Sequence, residues 1–191
     1  MWPRSRLHAA TYCKKKQSSQ CKKTNANAIA KAIYGVRTAG MFGYSHLTGG
    51  IAGGQAEYVR VPFGDVNLLE LPDGVPDEKA YISDVLATSY HCVKDTGVEK
   101  GDSVAIFGAG PIGHMTGVFT LDRGANKVIF VDTEPRLSYT KGHFLREYMS
   151  RVELVDFKTV SSGITNSKTV VSRLKEICDG RGRDVTLECA V

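Results

Sequence analysis

The stretch Ser103–Asp132, SVAIFGAGPIGHMTGVFTLDRGANKVIFVD, constrains the fold more than any other part of the chain. Ser103 to Phe107 is a short apolar run that suits a buried parallel strand. Gly108-Ala109-Gly110-Pro111-Ile112-Gly113 follows, a G-x-G-x-x-G turn. The pattern then predicts a helix ending near Gly124 and a second apolar strand, Lys127 to Val131, closed by Asp132.

Each residue type has a physical task in such a strand–turn–helix–strand unit. Gly108 permits the tight turn, Gly110 lets the backbone approach a pyrophosphate, and Gly113 lets helix and strand pack closely. Pro111 suits the first helical turn, where its missing N–H costs nothing. The N–H groups and positive dipole end of that helix favour a phosphate. Asp132 lies 19 residues after Gly113, where a carboxylate can accept both ribose hydroxyls of NAD and repel a 2′-phosphate. A lone glycine fingerprint is an ordinary turn; flanked by two strands, a helix and an acid, it predicts dinucleotide binding through Gly108, Gly110, Pro111, Ile112, Gly113 and Asp132.

The α/β pattern continues on both sides. Asp84 to about Thr96 reads as a helix, with Ser83 or Asp84 as its cap. After Asp132 come a polar helix from Arg136 to about Met149, a strand at Val152–Val155, a polar loop over 158–167, a helix Lys168–Cys178 capped by Ser167, and a strand at 184–189. Upstream, Asn25–Tyr34 reads as a short helix ended by Gly35. Residues 40–76, punctuated by Gly49-Gly50 and Gly53-Gly54 and alternating at Ala56–Val61, read as a β-rich module with a further extended piece at Asp65–Leu71. Strands near 103, 127, 152 and 184 make up half of a doubly wound domain and the first strand of its second half. The chain is therefore expected to end inside that domain.

Charge is divided unevenly. Nine Lys and Arg precede Glu57, the first acidic residue, whereas 16 basic and 20 acidic residues follow from that point. A basic arm raises nucleic-acid binding and a mitochondrial transit peptide as alternatives, but no aromatic interleaving accompanies it, which favours a solvated basic surface. No apolar run is long enough to span a bilayer, and no secretory signal heads the chain. Five scattered cysteines, Cys13, Cys21, Cys92, Cys178 and Cys189, do not make a disulfide framework and fit a reducing compartment. The expected location is the cytoplasm, with mitochondria as the alternative, and no nucleic-acid or membrane partner is expected.

Four segments together resemble the zinc-dependent medium-chain alcohol dehydrogenases, in the branch of glutathione-independent formaldehyde dehydrogenase and formaldehyde dismutase. They are CKKKQSSQCKKTN from Cys13, FGYSHLTGGIAGGQAEYVRVP from Phe42, SDVLATSYH from Ser83, and the Gly108 turn. The resemblance runs from about residue 12 to the C-terminus. It implies an α/β chain with the C-terminal part of a GroES-like β-rich catalytic domain over 12–83 and the N-terminal part of a Rossmann NAD-binding domain over 84–191. Residues 1–11 are expected to be unrelated or disordered.

The resemblance also implies a chemistry. A catalytic zinc polarises an alcohol or aldehyde oxygen while hydride passes to or from NAD. Asp84 maps to one of three ligands of that zinc, and its capping role can coexist with ligation. Thr88 maps near the nicotinamide, and Arg136 near the adenosine ribose and phosphate, where it could also help tolerate NADP. Cys13 and Cys21 match the last two of four cysteines that hold a structural zinc; the other two would fall at Leu7 and Ala10, and no Gly-His-Glu zinc segment occurs. The expected activity is NAD-dependent oxidation or reduction of a small alcohol or aldehyde, impaired by these missing ligands. The alternative is a non-catalytic nucleotide-binding or interaction module that pairs with a full-length homologue, and the expected assembly is a homo-oligomer or an association through an exposed sheet edge.

Overall fold

The computed structural model describes residues 11–190 apart from Lys16, Leu69, Tyr81 and residues 161–165. The expectation for residues 1–11 therefore lies almost wholly outside the described residues. The chain divides into two compact units, one ending at Pro72 and the other beginning at Asp73.

The first unit is held by local polar bonds more than by regular structure. It contains α1 (Thr11–Lys14), α2 (Ala28–Tyr34) and α3 (Gly64–Asn67), with short 3₁₀ turns between them. Asn27 caps α2 by accepting from the N–H groups of Ile29 and Ala30, and Gly35 ends it in the left-handed region. Asn25 is buried, and its side chain donates to the Leu47 carbonyl at 2.9 Å, so the helix starts later than expected.

The strands expected over residues 40–61 are reduced to one isolated parallel bridge, Phe42 with Ile51. A strand needs a neighbour to pair its backbone groups, and no named strand lies in this unit among the described residues. The extended piece expected over Asp65–Leu71 is helical at its start and becomes extended only at Leu68. α3 occupies its start, and the Asn67 side chain donates back to the Pro62 carbonyl to close a turn.

The second unit is α/β. In chain order it runs α4 (Ile82–Asp95), β1 (Ser103–Phe107), α5 (Pro111–Asp122), β2 (Lys127–Asp132), α6 (Arg136–His143), β3 (Val152–Asp156), α7 (Phe157–Val160), α8 (Asn166–Ile177) and β4 (Val185–Glu188). All three strand pairings are parallel, in the order β3-β2-β1-β4. This is the 3-2-1-4 portion of a doubly wound sheet, and β4 crosses to the far side of β1.

Alternate residues of the strands feed two cores. Val104, Ile106, Val128 and Phe130 pack towards Val93 of α4 and Leu121 of α5. Ala105, Ile129 and Val131 face Val170 and Leu174 of α8. Three helix boundaries differ from expectation. α4 starts at Ile82, which puts Asp84 in its first turn instead of at its cap. α8 starts at Asn166, so Ser167 lies inside it. α6 ends at His143, and a 3₁₀ segment covers Arg146–Arg151. No helix among the described residues is long and apolar enough to cross a membrane.

Candidate functional site

The C-terminal ends of β1 and β2 and the start of α5 enclose a cavity of about 420 Å³. Gly108 leaves β1 at φ +102°, and its N–H donates to the Val131 carbonyl at 3.0 Å. A Cβ there would lie 2.7 Å from the backbone of Cys189 and Ala190, so both conformation and space require glycine. Gly110 precedes α5 in extended conformation, and no side chain caps that helix. A Cβ at Gly110 would meet no atom, which leaves the cavity wall open to backbone approach. Pro111 takes the first helical position. Gly113 is shut in by the Gly108 carbonyl, which a Cβ would overlap.

Asp132 ends β2 on the same cavity and is only 4% exposed. Its Oδ2 accepts from the buried Ala109 N–H at 2.6 Å, and its Oδ1 accepts from the Thr133 N–H at 2.7 Å. The Arg136 guanidinium reaches Oδ1 at 3.2 Å. Burial alone would raise its pKa; the two backbone donors and Arg136 outweigh it and hold the carboxyl below its ordinary value. The site therefore has a fixed anion at one end and uncapped helix N–H groups at the other. That arrangement can take ribose hydroxyls at the first and a phosphate at the second. Gly108, Gly110, Pro111, Ile112, Asp132 and Arg136 all line the cavity, whereas Gly113 supports it from beneath.

The metal-linked residues are not gathered in this way. Asp84 and Thr88 lie one turn apart on α4, both exposed. Cys21 is 4% exposed in the first unit, and the Cys13 side chain lies outside the described residues. Among the described residues, no group of three or more His, Cys, Asp or Glu side chains could hold a metal ion. These residues alone do not fit a zinc site, which needs three or four protein ligands.

Two features escaped the sequence. Gly117, in the middle of α5, carries no fingerprint, yet a Cβ there would sit 2.5 Å from the Phe130 ring. It lets α5 lie close on β2. The second is a cavity of about 690 Å³ on the other side of Gly110 and Pro111, lined in part by His114, Tyr139 and His143. His114 Nε2 is 2.7 Å from Thr140 Oγ1, and its ring stacks on Tyr139 at 5.6 Å. Burial, with the His143 charge adding to it, pushes the His114 pKa below 6.5. A side chain 26 positions from its partner leaves no local pattern to read.

No protein-family model matches the chain. It is 38% identical over 161 residues to the zinc-type alcohol dehydrogenase-like protein C1198.01 of Schizosaccharomyces pombe, an alignment covering 81% of this chain and 38% of that protein. It is 39% identical over 127 residues to glutathione-independent formaldehyde dehydrogenase of Pseudomonas aeruginosa, covering 63% of this chain and 31% of the relative. The homologues of this chain are zinc-type alcohol dehydrogenases. The structure agrees: alcohol dehydrogenase TADH from Thermus sp. ATN1 superposes with a TM-score of 0.69 at 28% identity, over 96% of this chain and 46% of that one. The chain thus spans less than half the length of each of these three proteins. The α/β sheet and glycine turn are the expected ones.

Proposed function

We propose that this chain is the dinucleotide-binding portion of a zinc-type alcohol or aldehyde oxidoreductase, and that the cavity at the β1–α5 turn takes NAD. The observation that carries this reading is Asp132, buried and kept ionised at the rim of a cavity whose opposite wall is the uncapped start of α5. Its Oδ2 accepts a single bond and retains capacity for a ribose hydroxyl donor. Gly110 leaves room for the pyrophosphate, and Pro111, which has no N–H of its own, fixes the backbone at the first helical position. NAD, when bound, would accept or return a hydride from a small alcohol or aldehyde. Thr88 is assigned to the nicotinamide side by family resemblance alone.

Zinc stands differently. Asp84 is proposed as one ligand of a catalytic zinc, and Cys13 and Cys21 as two of a structural one, but the described residues do not complete either set. This incompleteness favours a second reading, a nucleotide-binding module without turnover of its own. Residues 12–83 and 84–191 are proposed as parts of the catalytic and nucleotide domains, and the cytoplasm as the location. Isothermal titration with NADH, alongside zinc determination on the purified chain, tests these readings. Expected are a saturable NADH isotherm and zinc below one per chain. Alcohol-dependent NADH formation would overturn the module reading, and a folded chain that gives no NADH isotherm would overturn both.

A further inference from the structure

The cavity of about 690 Å³ beside Gly110 and Pro111 lies wholly within the second unit, among α4, α5 and α6. Among the described residues it shares only Gly110, Pro111 and Arg136 with the cavity assigned to the dinucleotide. Val85 of α4, Met115 and Val118 of α5, and Phe144 and Leu145 just after α6 supply its apolar lining. Tyr139 and His143 of α6 add two flat rings, stacked on each other at 4.1 Å. Its volume falls within the span of about 300–1,000 Å³ usual for small-molecule sites.

Charge selects the kind of ligand. No Asp or Glu is among the described residues that line this cavity, whereas Arg136 is. The Arg136 guanidinium is engaged at one corner, where Nη1 donates to Asp132 Oδ1 at 3.2 Å. Its Nε and Nη2 donors remain as a fork that matches a second carboxylate. The neighbouring wall is held in place. Thr140 Oγ1 donates to the Arg136 carbonyl at 2.9 Å, so the His114 Nε2–H donates to Thr140 Oγ1 at 2.7 Å. The His114 ring also stacks on Tyr139 and meets Phe144 edge-on at 5.9 Å. His143 donates through Nδ1 to the Tyr139 carbonyl at 3.1 Å.

We propose that this cavity is a binding site for an aromatic carboxylate, with the carboxylate on the free edge of Arg136 and the rings among Tyr139, Phe144, Met115 and Val118. An acid-free lining with one guanidinium favours a single negative charge, and the apolar remainder favours a body that sheds water. The rings of Tyr139 and Phe144 and the thioether of Met115 suit an aromatic body, which they meet by stacking, edge contact and sulfur contact. Arg136 also borders the dinucleotide cavity. A carboxylate on its free edge competes with a 2′-phosphate for the same guanidinium, whereas NADH has no such phosphate. That coupling is reciprocal, and it rests on the dinucleotide reading.

The test is isothermal titration of the full chain with naphthoate and, separately, with the neutral naphthalenemethanol. Saturable naphthoate binding with a Kd of about 1 mM or tighter is expected, with the alcohol at least about tenfold weaker. Arg136→Gln should weaken naphthoate by about tenfold. Leu145 is exposed at the cavity, so Leu145→Glu adds an acid there without disturbing a core. That variant should lose naphthoate binding and keep the wild-type NADH affinity. Absence of saturable binding, equal affinity for acid and alcohol, or wild-type naphthoate affinity in both variants would overturn the site. In competition, naphthoate should weaken NADPH severalfold more than NADH, and equal weakening would overturn the coupling. A chain that takes naphthoate but neither nucleotide would overturn the cofactor reading alone.

Discussion

Burying the Asp132 carboxylate without partners would cost several kcal/mol. Two backbone donors and Arg136 supply the compensation. The sequence spacing placed this acid at the strand end correctly, because the period of a strand–helix–strand unit is set by backbone geometry. It could not show that Ala109, inside the turn itself, donates to the acid across 23 positions. His114 marks the same limit, and it carries a pH prediction. Its folded pKa lies below the unfolded value of 6.5, so the unfolded chain binds that proton more tightly. The stability it contributes is complete above 6.5 and is lost as pH falls through the lower folded value. Thermal melts should show stability falling as pH drops below the unfolded value of 6.5, with a shallower slope in His114→Gln. An unchanged slope in that variant would assign the effect elsewhere.

Among the elements, β1 and β2 were readable because fully buried parallel strands are continuous apolar runs. The run itself was the signal at Val104–Phe107 and Val128–Val131. The segment 40–61 failed for the opposite reason: its alternation describes a surface that must be paired, and pairing is not local. α5 holds a subtler lesson. A mid-helix glycine costs about 1 kcal/mol relative to alanine, so Gly117 looks like a defect. Close packing explains it, since an alanine methyl at this position would stand 2.5 Å from the Phe130 ring and 3.3 Å from the Phe144 ring. Gly117→Ala should lower stability by about 1–2 kcal/mol in urea unfolding, because overpacking outweighs the propensity gain. Gly142→Ala in α6, where a Cβ meets nothing, should be neutral or stabilising by up to about 1 kcal/mol. Equal effects at the two sites would contradict close packing of α5 on β2.

At the scale of the whole molecule, the order β3-β2-β1-β4 places the glycine turn where β1 lies between strands running to opposite sides. Ligands of open α/β sheets bind at such a switch point, outside the carboxyl ends of the strands. The cavity beside Gly108 is at that place, which is why residues of a six-residue fingerprint supply part of its lining. The metal side had no comparable shortcut, since zinc ligands come from separate segments and only Asp84, Cys13 and Cys21 could be matched to them. In the proposed function, Asp132 shapes the site for NAD. Arg136 beside it is a cation that could tolerate a 2′-phosphate, so the two residues pull in different directions. The most direct measurement is the ratio of NADPH to NADH dissociation constants for the wild-type chain and for Asp132→Ser. NADH should bind about tenfold or more tighter than NADPH to the wild type, a difference of about 1.4 kcal/mol, and the preference should collapse in the variant. Equal affinities in the wild type, or a preference untouched by the substitution, would contradict the account.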